Sequence, residues 1–466
     1  MPATPSAKSY FSISLAAASA LGAGSVLAAD LPIQKAAPVD YVRTCISPGQ
    51  GGSPLRPPSE KAGFFYIPGT DTCLEIGGRV RAEYRYLEPF VRGGDTSGFR
   101  ARGRITLDAR TATSYGTLRT FIIYEITRNT GNYNSAVSTP NPPGPNIVTP
   151  AASTDTANLK RGFIQFGGFT AGKVNSFYDP FGVVQWGGFS GYSDSDNAVE
   201  PVLFAYTHSF GSGFSTTVSF EEPSVFRSGA AFAGIPAAGS LVYAGQEVPD
   251  IVANIRATGS WGLFQIAGVA HQLRAMNVVP AGNPNAGAPV DDEFGFGVQA
   301  GLRLNVPGGA RQDSLALVGV YSQGSVIRAG YSNPFAVSQT NAGPQFALVD
   351  AFIDSAGRMR QAETWSAYGA YTHNWTPEWR SSIFGSYGQV DYAEAAGSPA
   401  TLFDSRYYQV GGHLVWSPVT ALDIGVEIVY RNIGTQNGLV VVDPNTGIAF
   451  RRADAIEGRF RVQRDF

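Results

Sequence analysis

The 466-residue chain is poor in charge and rich in glycine and aromatic side chains. Charged residues make up 15% of it, well below the roughly 25% of an average soluble domain. It has 56 glycines, 21 tyrosines and 29 phenylalanines but only 3 methionines, a composition that favours β-structure over a helical bundle. The formal net charge of −2 gives no reason to expect a nucleic-acid partner.

Residues 1–29 have the features of a signal peptide. Lys8 supplies the positive charge, Phe11 to Val26 form an apolar stretch, and small residues follow, so that cleavage after Ala28 or Ala29 fits equally well. A membrane anchor is the alternative, but the apolar stretch is short and is interrupted by serine and glycine. No later segment approaches the ~18 consecutive apolar residues that a transmembrane helix needs. We therefore expect an exported protein without a helical anchor.

The two cysteines of the chain, Cys45 and Cys73, both lie near the start of the mature protein. An even number of cysteines in an exported protein suggests one disulfide, which would close the loop between them. A metal or redox pair is the alternative, although no histidine lies nearby in the sequence. Residues 30–73 are too few for the plug of an active transporter. We expect them to form a small disulfide-closed segment on the periplasmic side or at the barrel rim.

From Leu74 to the carboxy terminus, apolar and polar residues alternate with the period of two that is typical of strands. In a soluble sandwich the apolar face would line a core, whereas in a transmembrane barrel it faces lipid and the polar face lines a wet lumen. The first strands are predicted near 74–87, 99–114, 118–128 and 159–168, and the last one ends at Phe466.

The connections between these strands alternate between short and long. The short ones are predicted at Ser114–Thr117, Gly167–Thr170, Gly211–Gly213, Gly259–Gly262, Pro307–Arg311, Asn374–Glu378 and Ser417–Thr420. The long ones lie near 129–158, 176–200, 223–249, 274–292, 324–360, 392–404 and 433–452. Outer-membrane barrels have this asymmetry, with short periplasmic turns and long extracellular loops. The sequence therefore predicts an all-β fold over residues 74–466, a transmembrane antiparallel β-barrel of about sixteen strands.

Two segments near the amino terminus resemble those of the alphaproteobacterial, rhizobial-type family of general outer-membrane porins. They are Tyr41–Cys45 (YVRTC) and Gly63–Arg81 (GFFYIPGTDTCLEIGGRVR), and Phe466 is similar to the terminal residue that the barrel-insertion machinery binds. The resemblance implies a homotrimer of sixteen-stranded barrels in the outer membrane, surrounded by lipid and lipopolysaccharide, with the third extracellular loop folded into each lumen. It implies a passive diffusion channel for small hydrophilic solutes and ions.

Signals for an enzyme are weak. The four histidines are scattered, and the sequence has neither a Walker loop nor a nucleophile elbow, so we predict no catalytic site, no cofactor and no metal. Two alternatives to a general porin stay open: a substrate-selective channel of the same architecture, and a structural or adhesive barrel without an open lumen.

Arginines concentrate on the predicted lumen face of the first three strands and of the last strand, which closure places beside the first. They are Arg79, Arg81, Arg85, Arg100, Arg102, Arg104, Arg119, Arg459 and Arg461. A guanidinium in lipid would cost about 2–4 kcal/mol at the bilayer midplane, so these side chains should line water as one basic wall of a pore. The alternative is a solvated polar face on which they pair with Glu75, Glu83 and Asp108.

The third long loop contains acids and neither lysine nor arginine between residues 176 and 200. Its acids are Asp179, Asp194, Asp196 and Glu200. Placed inside the lumen, they would face the arginines and create a transverse field across a constriction. The alternatives are an ordinary solvated loop and a Ca²⁺ site, for which the loop lacks most of the usual ligand pattern.

Overall fold

The computed structural model divides the chain into two units, Met1–Tyr41 and Val42–Phe466. The predicted signal peptide and Cys45 lie outside the described residues. The described residues are 63–88, 94–134, 137–139, 147–149, 152–181, 199–229, 240–308, 310–331, 335–336, 345–346, 348–392, 404–436, 440–442 and 449–466.

Sixteen strands of the described residues form the barrel. They are β1 Thr72–Leu87, β2 Ser97–Thr113, β3 Gly116–Asn129, β4 Thr154–Phe166, β5 Phe169–Lys173, β6 Val202–Gly211, β7 Phe214–Glu221, β8 Asp250–Gly259, β9 Gly262–Leu273, β10 Glu293–Val306, β11 Asp313–Gln323, β12 Met359–Asn374, β13 Trp379–Tyr392, β14 Ser405–Val419, β15 Leu422–Thr435 and β16 Arg452–Asp465. Each strand is antiparallel to the next, and β1 also pairs with β16, so the sheet closes on itself. This confirms the predicted fold class and strand number.

Shorter elements precede β1 or lie in the connections between strands. Phe65–Tyr66 pairs with β1, and Ala351–Ile353 pairs with β12. Two-stranded hairpins within the loops join Val137–Thr139 to Ile147–Thr149, Phe335–Ala336 to Gln345–Phe346, and Val441–Val442 to Ala449–Phe450. Single 3₁₀ turns occupy Gly131–Tyr133, Ser224–Phe226 and Ile327–Ala329. Within the described part of the chain, no helix is long and apolar enough to cross a membrane.

The two faces of the strands are inverted relative to a soluble protein. In β1, Arg81, Glu83 and Arg85 are buried, whereas Val80 is 59% exposed and Tyr84 is 38% exposed. A similar alternation runs through β2 and β10, with polar or small residues inside and mostly apolar residues outside. The charged side chains lie inside the barrel and its outer surface is apolar. This arrangement is typical of a sheet whose outer face contacts lipid.

Seven short turns and eight long connections alternate between the described strands, as predicted. We name the long connections L1 (88–96), L2 (130–153), L3 (174–201), L4 (222–249), L5 (274–292), L6 (324–358), L7 (393–404) and L8 (436–451). L1 was not among the predicted long loops. The position of L3 between the fifth and sixth strands was predicted correctly.

A β-bulge explains why the fourth strand begins earlier than predicted. The predicted strand near 159–168 is Thr154–Phe166, and its pairing shifts at Lys160: Ile123 of β3 opposes Arg161, while Tyr124 opposes Leu159. An extra residue at a bulge interrupts the alternation of faces, so the pattern is lost on the amino-terminal side of it.

The barrel closes at its carboxy terminus. The backbone amide of Phe466 donates to the Gly78 carbonyl (3.0 Å), and the Gly78 amide donates to the Phe466 carbonyl (2.9 Å). A Cβ at Gly78 would lie 2.4 Å from the Phe466 ring and 2.6 Å from the Arg104 carbonyl. The glycine therefore makes room for the last residue of the chain on the first strand.

Candidate functional site

The nine predicted arginines lie together on the lumen side of β1–β3 and β16, a group that we call the arginine wall. Cross-strand pairing puts Arg79 opposite Arg104, Arg81 opposite Arg102, and Arg85 opposite Arg459. Arg79, Arg81, Arg85, Arg104, Arg459 and Arg461 are buried, whereas Arg100, Arg102 and Arg119 are partly exposed. Closure of the barrel thus joins arginines from both ends of the chain into one surface.

Carboxylates lie within this wall. Arg79 Nε donates to Asp465 (2.5 Å), Arg104 Nε to Glu125 (2.6 Å) and Arg119 Nε to Asp108 (3.0 Å). The alternative drawn from the sequence, that the arginines pair with acids of their own face, therefore applies to part of the wall. Asp465 was not predicted as a partner because β16 lies beside β1 only once the barrel is closed, whereas Glu125 faces Arg104 across the β2–β3 hairpin and could have been predicted from its register.

Glu83 is the centre of the largest group of charges. It is 3% exposed, and its Oε1 accepts from Arg461 Nε at 2.6 Å. Arg459 and Arg100 each approach it to 3.9 Å. The attraction of several guanidinium groups to one buried carboxylate offsets their mutual repulsion, so Glu83 holds arginines of β2 and β16 side by side.

The first residues of L2 cover the end of the arginine wall that lies next to the long loops. Arg85 Nε donates to the Asn132 side chain at 3.0 Å, and the guanidinium groups of Arg85 and Arg100 lie 4.3 and 4.1 Å from the centre of the Tyr133 ring. The cation–π contacts and the hydrogen bond restrict the orientation of both guanidinium groups. This role of L2 was not predicted from the sequence.

Arg102 differs from its neighbours. Its Nε donates to the Thr127 hydroxyl at 3.0 Å, and among the described residues it makes no ion pair. Its charge is therefore not locally cancelled by a carboxylate of the described chain.

L3 enters the lumen and crosses to the opposite wall. The Phe177 carbonyl accepts from Asn254 of β8 at 2.7 Å, and the Tyr178 carbonyl accepts from Gln265 of β9 at 3.1 Å. On β10, a Cβ at Gly301 would lie 2.4 Å from the Pro180 side chain, so a glycine is needed for this close approach. The predicted folding of the third loop into the lumen is confirmed for its described part.

The predicted acids of L3 have different surroundings. Glu200 is 6% exposed and is paired with Arg161 (2.7 Å) and Lys160 (3.2 Å), which the bulge in β4 brings to the same side. Asp179 closes a turn, its amide donating to the Ser176 carbonyl at 3.2 Å. Asp194 and Asp196 lie outside the described residues, so the acidic face of the constriction stays a prediction.

The other half of the barrel interior contains a large cluster of buried apolar side chains. Buried side chains of β8, β9 and β11–β15 pack against Tyr178 of L3 and against L6, through Val326, Tyr331, Leu348 and Val349. L6 is therefore a second loop inside the barrel, which the sequence reading missed. The inner positions of β11 and β12, such as Val318 and Ala370, are apolar or small, and this pattern could have indicated a packed interior.

Cys73 is buried and disulfide-bonded. Because Cys45 lies outside the described residues, the predicted pairing of the two cysteines stays a prediction.

Comparison with known proteins agrees with this architecture. Residues 30–459 match the model of a family described as the porin subfamily. The chain is 30% identical to porin Omp2b of Brucella canis over 238 residues, which are 50% of this chain and 56% of that protein. It is 28% identical to porin Omp2a of Brucella ovis over 240 residues, 50% of this chain and 60% of that protein. The matches thus span little more than half the length of these relatives.

Among solved structures, the outer membrane channel DcaP of Acinetobacter baumannii has a similar fold. Its TM-score is 0.56 at 15% identity, and the match covers 85% of this chain and 97% of that one. The apolar outer surface of the barrel and the family match together indicate a location in the outer membrane. The chain belongs to the porin subfamily.

Proposed function

We propose that the protein is a passive diffusion channel for small hydrophilic solutes and ions, and not an enzyme. The observation that supports this most directly is the arginine wall on the inner surface of a closed barrel. Guanidinium groups are stable there only beside water or acids, so the inner surface is suited to a hydrated path. L3 lies on the wall opposite and narrows that path.

The second candidate is a substrate-selective channel of the same architecture. L6 packs inside the barrel together with L3. The guanidinium groups of Arg85 and Arg100 are held by cation–π contacts with the Tyr133 ring. A narrow path lined on one side by fixed cations favours solutes whose own charges fit that side. A structural or adhesive barrel is the third candidate, and it would have no conducting path.

Planar-bilayer recording of the purified protein separates the three. Ohmic current steps without block by solutes indicate a general porin, and saturable block by one class of solute indicates a selective channel. Absence of conductance from correctly folded protein would exclude both.

We also propose that Asp179, Asp194 and Asp196 face the arginine wall across the narrowest part of the lumen, whereas Glu200, which was predicted to belong to this group, is paired with Lys160 and Arg161 instead. The support is the position of the described part of L3 on the opposite wall. Changing Asp194 and Asp196 to asparagine should shift the ion selectivity towards anions, because it removes fixed negative charge. An unchanged reversal potential would place these two residues away from the permeation path.

Further proposals concern maturation and assembly. A signal peptide cleaved after Ala28 or Ala29, a Cys45–Cys73 disulfide, and a homotrimer in contact with lipid and lipopolysaccharide all fit the exported barrel. The insertion machinery would bind the strand that ends at Phe466. Mass spectrometry of the mature protein tests the cleavage, thiol titration without reductant tests the disulfide, and unheated gel electrophoresis tests the trimer.

A further inference from the structure

The foot of L3, where it turns into the lumen, is bound to a buried carboxylate at the end of β7. Glu221 is 0% exposed and accepts two hydrogen bonds, from the Ser176 hydroxyl to Oε2 (2.6 Å) and from the Phe177 amide to Oε1 (2.9 Å). The Tyr178 amide in turn donates to the Ser176 hydroxyl at 3.1 Å. One acid therefore sets the direction in which L3 leaves the barrel wall.

A side chain of L6 reaches the same place. Arg328 lies on the 3₁₀ turn Ile327–Ala329, and its side chain is 1% exposed. Its Nη1 donates to Ser176 Oγ at 2.9 Å, its Nη2 donates to Asp250 at 2.8 Å, and both nitrogens lie 3.3 Å from Glu221 Oε2. The guanidinium also lies 5.3 Å from the centre of the Tyr178 ring. One arginine of L6 thus joins L3 to two strands of the barrel.

L6 itself is fixed next to Arg328. The buried Asp350 accepts from the Val326 amide (2.7 Å) and the Tyr243 hydroxyl (2.6 Å), and its Oδ2 also accepts from the Ser228 amide (2.6 Å). Tyr243 and Ser228 belong to L4. The backbone of L6 next to Arg328 is therefore anchored to L4 by contacts that do not involve L3.

From these contacts we propose that Arg328 is the positioning residue that holds the constriction loop L3 in the lumen. A fully buried guanidinium needs acceptors, and Ser176, Glu221 and Asp250 supply them to Nη1 and Nη2, which restricts both the Arg328 side chain and Ser176 to one position. Without Arg328, Glu221 would lose its cation and would lie opposite the buried Asp250, which keeps its hydrogen bond to His271 Nδ1 (2.7 Å). Their repulsion would turn Glu221 away from Ser176 and Phe177 and release the foot of L3.

The proposal rests on the channel function, and its first test is single-channel recording of Arg328→Met in the full-length protein. The loss of one charge-assisted hydrogen bond should raise the population of released L3 on the order of tenfold to a hundredfold. We expect greater open-channel noise and closure at a lower voltage. Arg328→Lys keeps the positive charge but loses the paired donors of the planar guanidinium group, so it should show an intermediate effect.

The matched control is Arg358→Met. Arg358 also belongs to L6, but its side chain is 66% exposed and is paired only with Asp354 among the described residues. Its current traces should equal those of the wild type. If Arg328→Met fails to give the heat-modifiable band of a folded barrel, Ser176→Ala replaces it, since it removes the contact from the side of L3.

Hydrogen exchange of the peptide that contains residues 176–181 separates this proposal from the channel function. Exchange there should rise in Arg328→Met and Ser176→Ala but not in Arg358→Met, whether or not the protein conducts. A wild type that folds but does not conduct would refute the proposed function alone. Unchanged exchange and unchanged noise in both test variants would overturn the role of Arg328.

Discussion

Arg102 offers the cleanest measure of the field inside the barrel. Its described contact is the Thr127 hydroxyl at 3.0 Å, so replacement by glutamine removes one positive charge without leaving a buried acid unpaired. Arg104 is the contrasting case, because its Nε donates to the buried Glu125 at 2.6 Å. Arg104→Gln should therefore lower stability as well as selectivity, whereas Arg102→Gln should change selectivity alone.

The expected magnitude follows from the distance between the charge and the permeating ions. For a path about 8 Å from the guanidinium, the interaction with a monovalent ion is about 0.5 kcal/mol in water before screening. Salt at physiological concentration reduces it to about 0.2 kcal/mol over a Debye length of about 8 Å. Anions and cations respond with opposite sign, so the ratio of their local concentrations should change about twofold towards cations.

Reversal potentials under a KCl gradient measure this ratio directly. For a roughly tenfold gradient, a twofold change corresponds to a shift on the order of 10 mV in the cation-selective direction. The control is Arg128→Gln, because Arg128 lies on the outer face of β3 with 52% of its side chain exposed and is paired with Asp155. If Arg102→Gln and Arg128→Gln have the same reversal potential as the wild type, Arg102 does not line the path and the reasoning is refuted.

Three further predictions concern stability. Glu83→Gln leaves the surrounding arginines without their shared acid and should lower the free energy of unfolding by about 3–5 kcal/mol in a urea titration, and a loss below about 1 kcal/mol would contradict its central role. Gly78→Val should lower the temperature at which the folded gel band disappears, because the ring of Phe466 and a backbone carbonyl occupy the space, whereas Gly103→Val has nothing within 4 Å and should behave like the wild type. Burial raises the pKa of Asp350 from 3.8 to about 6, so the folded loops bind more protons than the opened loops within that window. Their protection against hydrogen exchange should therefore fall by about 3 kcal/mol as the pH rises from about 4 to about 6, and Asp350→Asn should show no such pH dependence once intrinsic exchange rates are corrected.

The sequence by itself determined the architecture of the barrel. Alternation of Arg81 and Arg85 with Val80 and Tyr84 is a local pattern, and it records directly that one face of the strand meets lipid and the other a polar interior. Turn residues and loop lengths are local as well, which is why the strand number and the position of L3 could be predicted. The inward direction of the arginines followed from the same alternation.

Only the tertiary structure decided which charges pair across the closing strands and that L6 enters the lumen beside L3. Glu83 and Arg461 are 378 residues apart in the chain and meet because β1 and β16 close the barrel. The hydrogen bond from Arg328 to Ser176 joins L6 to L3, and no periodic pattern in the sequence of either loop indicates it. Such contacts depend on register and closure across the whole sheet, whereas the pattern of a single strand reports only the solvent on its two faces.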